Sequence, residues 1–204
     1  MSQFWIHSDW HWKHENIYRF DSVCPDGVER RIRHRFANAA EGDDYIESRW
    51  RDLIKPQDHV YCLGDLTMFR ENHMAHDFVK LFKSLPGHKR LIPGNHDHLK
   101  PKWYVEAGFE KLRGAHFFQG LLMTHYPVHP SCITFKVIGN VHGHVHAAAN
   151  IRPVIVGEKA KVWLNVCVEA TQYEPIPIEE ALIRVTKIAE EALRNPVSAS
   201  FRDD

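Results

Sequence analysis

Five short stretches of this 204-residue chain carry side chains able to bind a metal ion. Asp9-Trp10-His11 comes first, then Gly64-Asp65, then Gly94-Asn95-His96-Asp97. His125 follows between Thr124 and Tyr126, and Gly143-His144-Val145-His146 completes the set. Carboxylates, imidazoles and one amide oxygen suit Mn, Fe, Zn, Ni or Co better than Ca. Taken singly, motifs this short arise often by chance. Asp9 and His11 lie two apart, so an extended backbone would turn both to one side. Gly64-Asp65 by itself is ordinary turn chemistry, whereas Gly94 turns the chain so that an uncharged oxygen donor sits beside an imidazole. His144 and His146 form the sharpest single piece, a ready metal pincer behind an apolar run.

Each stretch follows an apolar segment that reads as a strand, over residues 4–6, 59–63, 91–93, 121–124 and 137–141, and residues 162–168 form a further strand candidate. Ligands at strand C-termini converge on one edge of a sheet. Ile46, Trp50, Leu53 and Ile54 mark one face of a helix over 43–54. Met74, Phe78, Leu81 and Phe82 mark another, stopped by Pro86-Gly87. A last helix follows Pro175 and Pro177, with Ala181, Leu182, Val185, Ile188, Ala189 and Ala192 as its buried stripe. This alternation predicts an α/β or layered α+β fold in one domain over residues 1–204, with a loose tail over 195–204.

The 44% hydrophobic and 25% charged fractions are those of a soluble globular protein. Twenty-six basic and 26 acidic residues cancel, so no global field draws the chain to a membrane or to long nucleic acid. The 16 histidines are an excess, and imidazole is the commonest metal ligand. Cys24, Cys62, Cys132 and Cys167 show no CxxC spacing, and Cys62 and Cys167 sit in apolar runs as core thiols. Without an apolar leader or a run of membrane-spanning length, the cytoplasm is the expected location. Arg30, Arg31, Arg33 and Arg35 read as a solvated surface segment, the alternative being a flap that grips phosphate over the site. Trp10, Trp12 and Tyr18 read as core rather than as a base-stacking platform. His14, His98 and His142 lie close to candidate ligands and read as incidental or structural.

The ordered set D-x-H, G-D, G-N-H-D, lone H and G-H-x-H over residues 4–174 resembles the calcineurin-like metallophosphoesterases. That resemblance implies two packed mixed β-sheets flanked by helices. It also implies one divalent ion on Asp9, His11, Asp65 and His146, and a second on Asp65, Asn95, His125 and His144, with Asp65 bridging. His96 is implied as general acid beside the substrate phosphate, with Asp97 orienting it. The Asp-Arg-Gly run and the Glu of the protein Ser/Thr phosphatases are replaced here by Leu66-Thr67-Met68-Phe69-Arg70 and Asp97. The chain is therefore more similar to the small bacterial and phage members, many of which are phosphodiesterases. The expected reaction is hydrolysis of a phosphodiester (a cyclic nucleotide, a nucleotide or a nucleic-acid end) by hydroxide held between two ions, Mn for preference. A phosphomonoesterase acting on a nucleotide or small phosphate ester is the alternative. A non-enzymatic scaffold is disfavoured because no ligand position is missing.

Overall fold

Side chains on successive strand residues face opposite ways, and in this protein the two sides enter different cores. The computed structural model describes residues 2–23, 28–70, 72–134, 136–148 and 151–195. The tail expected beyond Asn195, and Cys24, lie outside them. Along the chain run β1 (Phe4–His7), β2 (Asp21–Val23), β3 (Glu29–Arg31), α1 (Ala39–Leu53), β4 (His59–Cys62) and α2 (Asn72–Ser84). Then follow β5 (His88–Leu91), α3 (Pro101–Glu106), β6 (Phe109–Leu112), β7 (His116–Phe118), β8 (Leu121–Thr124) and β9 (Gly139–His142). β10 (Val154–Val156), β11 (Lys159–Asn165), β12 (Ile176–Pro177) and α4 (Ile178–Arg194) complete the order.

One sheet runs β12-β1-β4-β5-β6 and a second runs β10-β11-β9-β8-β7, while β2 and β3 pair alone. β1, β4, β5 and β6 are mutually parallel and β12 is antiparallel to β1. In the second sheet β8, β9 and β11 are parallel, with antiparallel β7 and β10 at the edges. The chain is thus a mixed α/β protein. Trp5, Val60 and Cys62 join Trp10, Trp50, Phe78, Phe82 and Phe109 in a core shared with the helices. The alternate residues Ile6, Tyr61 and Leu63 meet Leu121, Met123, Val141, Val162 and Leu164 from the second sheet. Ala181 and Val185 of α4 close this layer. Trp163 faces the other way, onto Ile133 and Val137. Among the described residues no helix is long and apolar enough to cross a membrane.

Helix α1 starts at Ala39, four residues before its apolar stripe suggests, because Asn38 caps it. The Asn38 side chain accepts the Glu41 amide at 3.0 Å, and Glu41 reaches back to the Ala37 amide at 2.7 Å. The run 162–168 is not one strand. After Asn165 it leaves the second sheet, and Cys167 bridges to Ser8 of the first. Trp10, Trp12 and Tyr18 are buried in the core, as expected.

Candidate metal centre

β1, β4 and β5 of one sheet, and β8 and β9 of the other, end at the same edge, and backbone bonds lace their following loops together. The Asp9 amide donates to the Gly64 carbonyl at 3.0 Å, that of His11 to Asp65 at 2.9 Å, and that of Gly143 to His125 at 2.9 Å. Asp9 and His11 do not share a side through extended backbone. Their φ angles are 59° and 52°, in the left-handed region, and Lys13 follows at 60°. This alternation sends Trp10 and Trp12 into the core. Asp65, His144 and His146 take the same conformation, with φ of 51°, 71° and 49°. Asp and His tolerate this region better than most side chains, yet each such residue costs about 1–3 kcal/mol that the surrounding contacts must offset.

The side chains gather into two groups, Asp9 with His11 and His146, and Asp65 with His125 and His144. His144 and His146 therefore serve different groups and do not pinch one point. Asp9 Oδ1 lies 4.0 Å from Nε2 of both His11 and His146. Asp65 Oδ2 lies 3.6 Å from His11 Nε2 and 3.4 Å from His125 Nε2, so one oxygen stands between the groups. Asn95 Oδ1 is 3.0 Å from His125 Nε2. Two ligands bonded to one transition ion are at most about 4.2 Å apart, and these separations fall within that reach.

The donors also present the correct atoms. His125 Nδ1 donates to the Leu63 carbonyl at 2.7 Å, which leaves Nε2 as the lone-pair nitrogen. His146 Nδ1 faces the Glu169 carboxylate at 3.3 Å, with the same consequence. The His96 amide holds Asp65 Oδ1 at 2.8 Å and turns Oδ2 to the imidazoles. Asp9 accepts the Ser8 hydroxyl, the Cys167 thiol at 3.3 Å and the His144 amide at 3.0 Å. Both ring nitrogens of His11 are buried without a hydrogen-bond partner among the described residues. Buried polar atoms are rarely left so, and a cation on Nε2 accounts for one of them.

Burial and neighbouring charges move the groups in different directions. Burial raises the Asp9 carboxyl above its usual range, even with His146 and His125 nearby. Burial pulls His11 well below the usual imidazole value, reinforced by His146, and so favours the neutral ligand form. His144 is also lowered by burial and then by His125. Burial opposes protonation of His125 and His146, yet the bonds and charge of Asp65 and of Glu169, respectively, raise both.

Asp97 does not orient His96 through a side-chain bond. Its carboxylate accepts the amides of Gly94 and Asp65 at 2.8 Å and of Leu66 at 3.0 Å, tying the two glycine turns together. Burial is the main cause that lifts its pKa to about 7, with those amides opposing. The His96 ring stands 5.4 Å from that of His11 and 6.1 Å from that of His98, at the partly open rim. His142 is buried with Nδ1 facing the Gly143 carbonyl at 2.9 Å, outside both groups. His14 lies behind His11, ring centroids 5.9 Å apart.

Arg33 departs from the solvated segment expected of its cluster, and Glu169 joins the site with no motif to mark it. Arg33 is neither solvated nor a phosphate grip, because it is wholly buried. Its guanidinium donates to the carbonyls of Asp9 at 2.6 Å and Trp10 at 2.8 Å, and to Glu169 at 2.8 Å. Glu169 in turn faces His146, and Arg33 with His146 outweighs burial to hold its pKa down to about 2. His146, Cys167 and Glu169 also cluster, but Arg33 engages Glu169 and Asp9 engages Cys167, so this trio supports the first group. A charged cluster gives no local signal of which member turns inward.

No family model matches the chain. It is 27% identical to an uncharacterized protein of Methanocaldococcus jannaschii over 180 residues, covering 88% of this chain and 89% of that one. It is also 27% identical to the gene 66 protein of Mycobacterium phage L5 over 158 residues, covering 78% of this chain and 58% of the phage protein. The crystal structure of a protein of unknown function from Aquifex aeolicus superposes with a TM-score of 0.64 at 25% identity, covering 90% of this chain and all of the other. A fold of this kind is thus shared with the Aquifex aeolicus protein.

Proposed function

We propose that the chain is a metal-dependent phosphodiesterase of the calcineurin-like type, using two divalent transition ions. The observation that carries this reading is Asp65 Oδ2, placed 3.6 Å from His11 of one group and 3.4 Å from His125 of the other. A carboxylate shared between two imidazole-rich groups is what a binuclear centre requires. When bound, such a pair supplies Lewis-acid charge and activates water for in-line attack on phosphorus. Asp9, His11, Asp65 and His146 would hold one ion, and Asp65, Asn95, His125 and His144 the other. Mn fits these mixed nitrogen and oxygen donors, and Fe, Zn, Ni or Co are compatible with them. His96 stands at the rim, where a ring nitrogen can give its proton to the leaving oxygen. Asp97, by fixing the Gly94 and Asp65 amides, holds the turn that sets His96. The packing of two mixed sheets is consistent with the calcineurin-like architecture.

The test is turnover of bis-p-nitrophenyl phosphate beside p-nitrophenyl phosphate, by protein loaded with Mn. Diester hydrolysis is expected, and Asp65→Ala is expected to lower it by more than about a hundredfold. Turnover of the monoester alone makes the enzyme a phosphomonoesterase. A protein that neither binds metal nor hydrolyses either ester is not an enzyme of this type.

A further inference from the structure

Beside His146 a cleft of about 450 Å³ opens. Arg30, His34 and Arg35 line it together with Gln172 and Tyr173. His146 belongs both to this cleft and to the first ligand group, so the cleft is continuous with the proposed centre. Its size lies within the usual range for small-molecule pockets, about 300–1,000 Å³. Glu169 is its acidic member, and that charge is already matched by Arg33. Arg35, by contrast, lies 4.2 Å over the Tyr45 ring, and its guanidinium is 3.5 Å from the Gln172 carbonyl. No carboxylate among the described residues lies within salt-bridge distance of it. An exposed guanidinium braced on an aromatic ring is pre-organised to pair with phosphate. The backbone beside Arg35 is strained as well. Gln172 and Tyr173 both hold positive φ, 59° and 64°, and such strained residues cluster at active sites, ligand clamps and switch regions.

Resting on the phosphodiesterase reading, we propose that this cleft binds a second phosphate of the substrate, one sugar away from the phosphoryl group at the metal centre. The substrate is then a nucleotide or an oligonucleotide bearing at least two phosphates. Arg35 and Arg30 grip the second phosphate, and the base or sugar occupies the space toward Tyr173. A neutral overall charge accords with such local recognition, because only one patch of the surface needs to be basic.

The probe pair is the p-nitrophenyl ester of thymidine 5′-phosphate, with and without a 3′-phosphate. In the wild-type protein the 3′-phosphate is expected to lower KM at least tenfold. In Arg35→Ala the KM ratio of the two esters is expected to collapse toward one, and Arg35→Lys is expected to recover part of it. Arg184→Ala, on the distant helix α4, serves as the control that keeps the wild-type ratio. A wild-type ratio near one, or a ratio that survives in Arg35→Ala, overturns the proposal while bis-p-nitrophenyl phosphate turnover keeps the parent reading standing. Loss of all metal-dependent diester turnover in the wild type overturns both. Competition by a short single-stranded oligonucleotide separates the two sources. Inhibition stronger than by thymidine 3′,5′-diphosphate assigns the second phosphate to nucleic acid, and weaker inhibition assigns it to a small nucleotide.

Discussion

At the level of single residues, the site depends on atoms that are held rather than merely present. Asp65 offers Oδ2 to both histidine groups only because the His96 amide occupies Oδ1 at 2.8 Å. His146 is oriented by Glu169, which is itself anchored by buried Arg33. Removing the Glu169 charge leaves His146 less basic and free to rotate. Glu169→Gln is therefore expected to weaken one of two metal-binding steps by about 10–100-fold, while the other is unchanged. Metal titration followed by mass spectrometry of the bound ions reads this directly. Affinities for both ions unchanged from the wild type would contradict the chain from Arg33 through Glu169 to His146.

Among the elements, the loops after β1, β4 and β9 carry the positive-φ strain, and those after β4, β5 and β9 the close approaches. A Cβ on Gly94 would meet His125 Nε2 at 2.7 Å and collide with Asp65 Oδ1, so only glycine lets this turn pass. Gly94→Ala is expected to displace both ligands and to lower diester turnover by about a hundredfold, with the fold retained by circular dichroism. At the far end of the same strands, Asp58 accepts the Gln3 amide at 2.9 Å, the Lys55 amide at 3.0 Å and the Trp5 indole at 3.2 Å. Burial alone would raise its pKa, but these donors outweigh burial and hold it below the usual value. A depressed folded pKa contributes stability above the unfolded value of about 3.9 and loses it as the pH falls through the folded one. Denaturant unfolding followed into the acid range should show that loss, and Asp58→Asn should be less stable at neutral pH and lack that part of the acid limb. An identical acid limb in the variant would remove Asp58 from the account.

For the molecule as a whole, the edge bearing the candidate donors joins two sheets, so an ion held there would tie one sheet to the other. Asp9, His11 and Asp65 come from the first sheet's loops, and His125, His144 and His146 from the second's. An ion present at a hundredfold its dissociation constant stabilises the folded state by about 2.7 kcal/mol. For a chain of this length each kcal/mol moves Tm by about 2–4 °C. Stripping the protein with a chelator is expected to lower Tm by on the order of 5–10 °C, and Mn is expected to restore it. A melting temperature indifferent to chelator and to added Mn would mean that the edge holds no ion.

The residues with donor chemistry were legible in the sequence, and so were the strands before all of them but Asn95, because short apolar runs and glycine turns are local signals. The helical stripes of α1, α2 and α4 were legible for the same reason. Charged or very short strands were not. β3 is Glu29-Arg30-Arg31, and β5 opens on His88-Lys89-Arg90, with Lys89 buried and its ammonium on the Leu85 carbonyl at 2.8 Å. Pairing with neighbours made strands of these segments, and nothing in their own pattern did. The family resemblance had already parted His144 from His146, whereas the tie that Asp97 makes between two turns and the burial of Arg33 alone in its cluster emerged only in the folded chain. Each of these depends on contacts between residues far apart in the chain, Arg33 with Glu169 and Asp65 with Asp97 among them. Left-handed backbone at Asp9, His11, Asp65, His144 and His146 is tolerated for the same reason, since the strain of each is offset by partners that only the folded chain brings near.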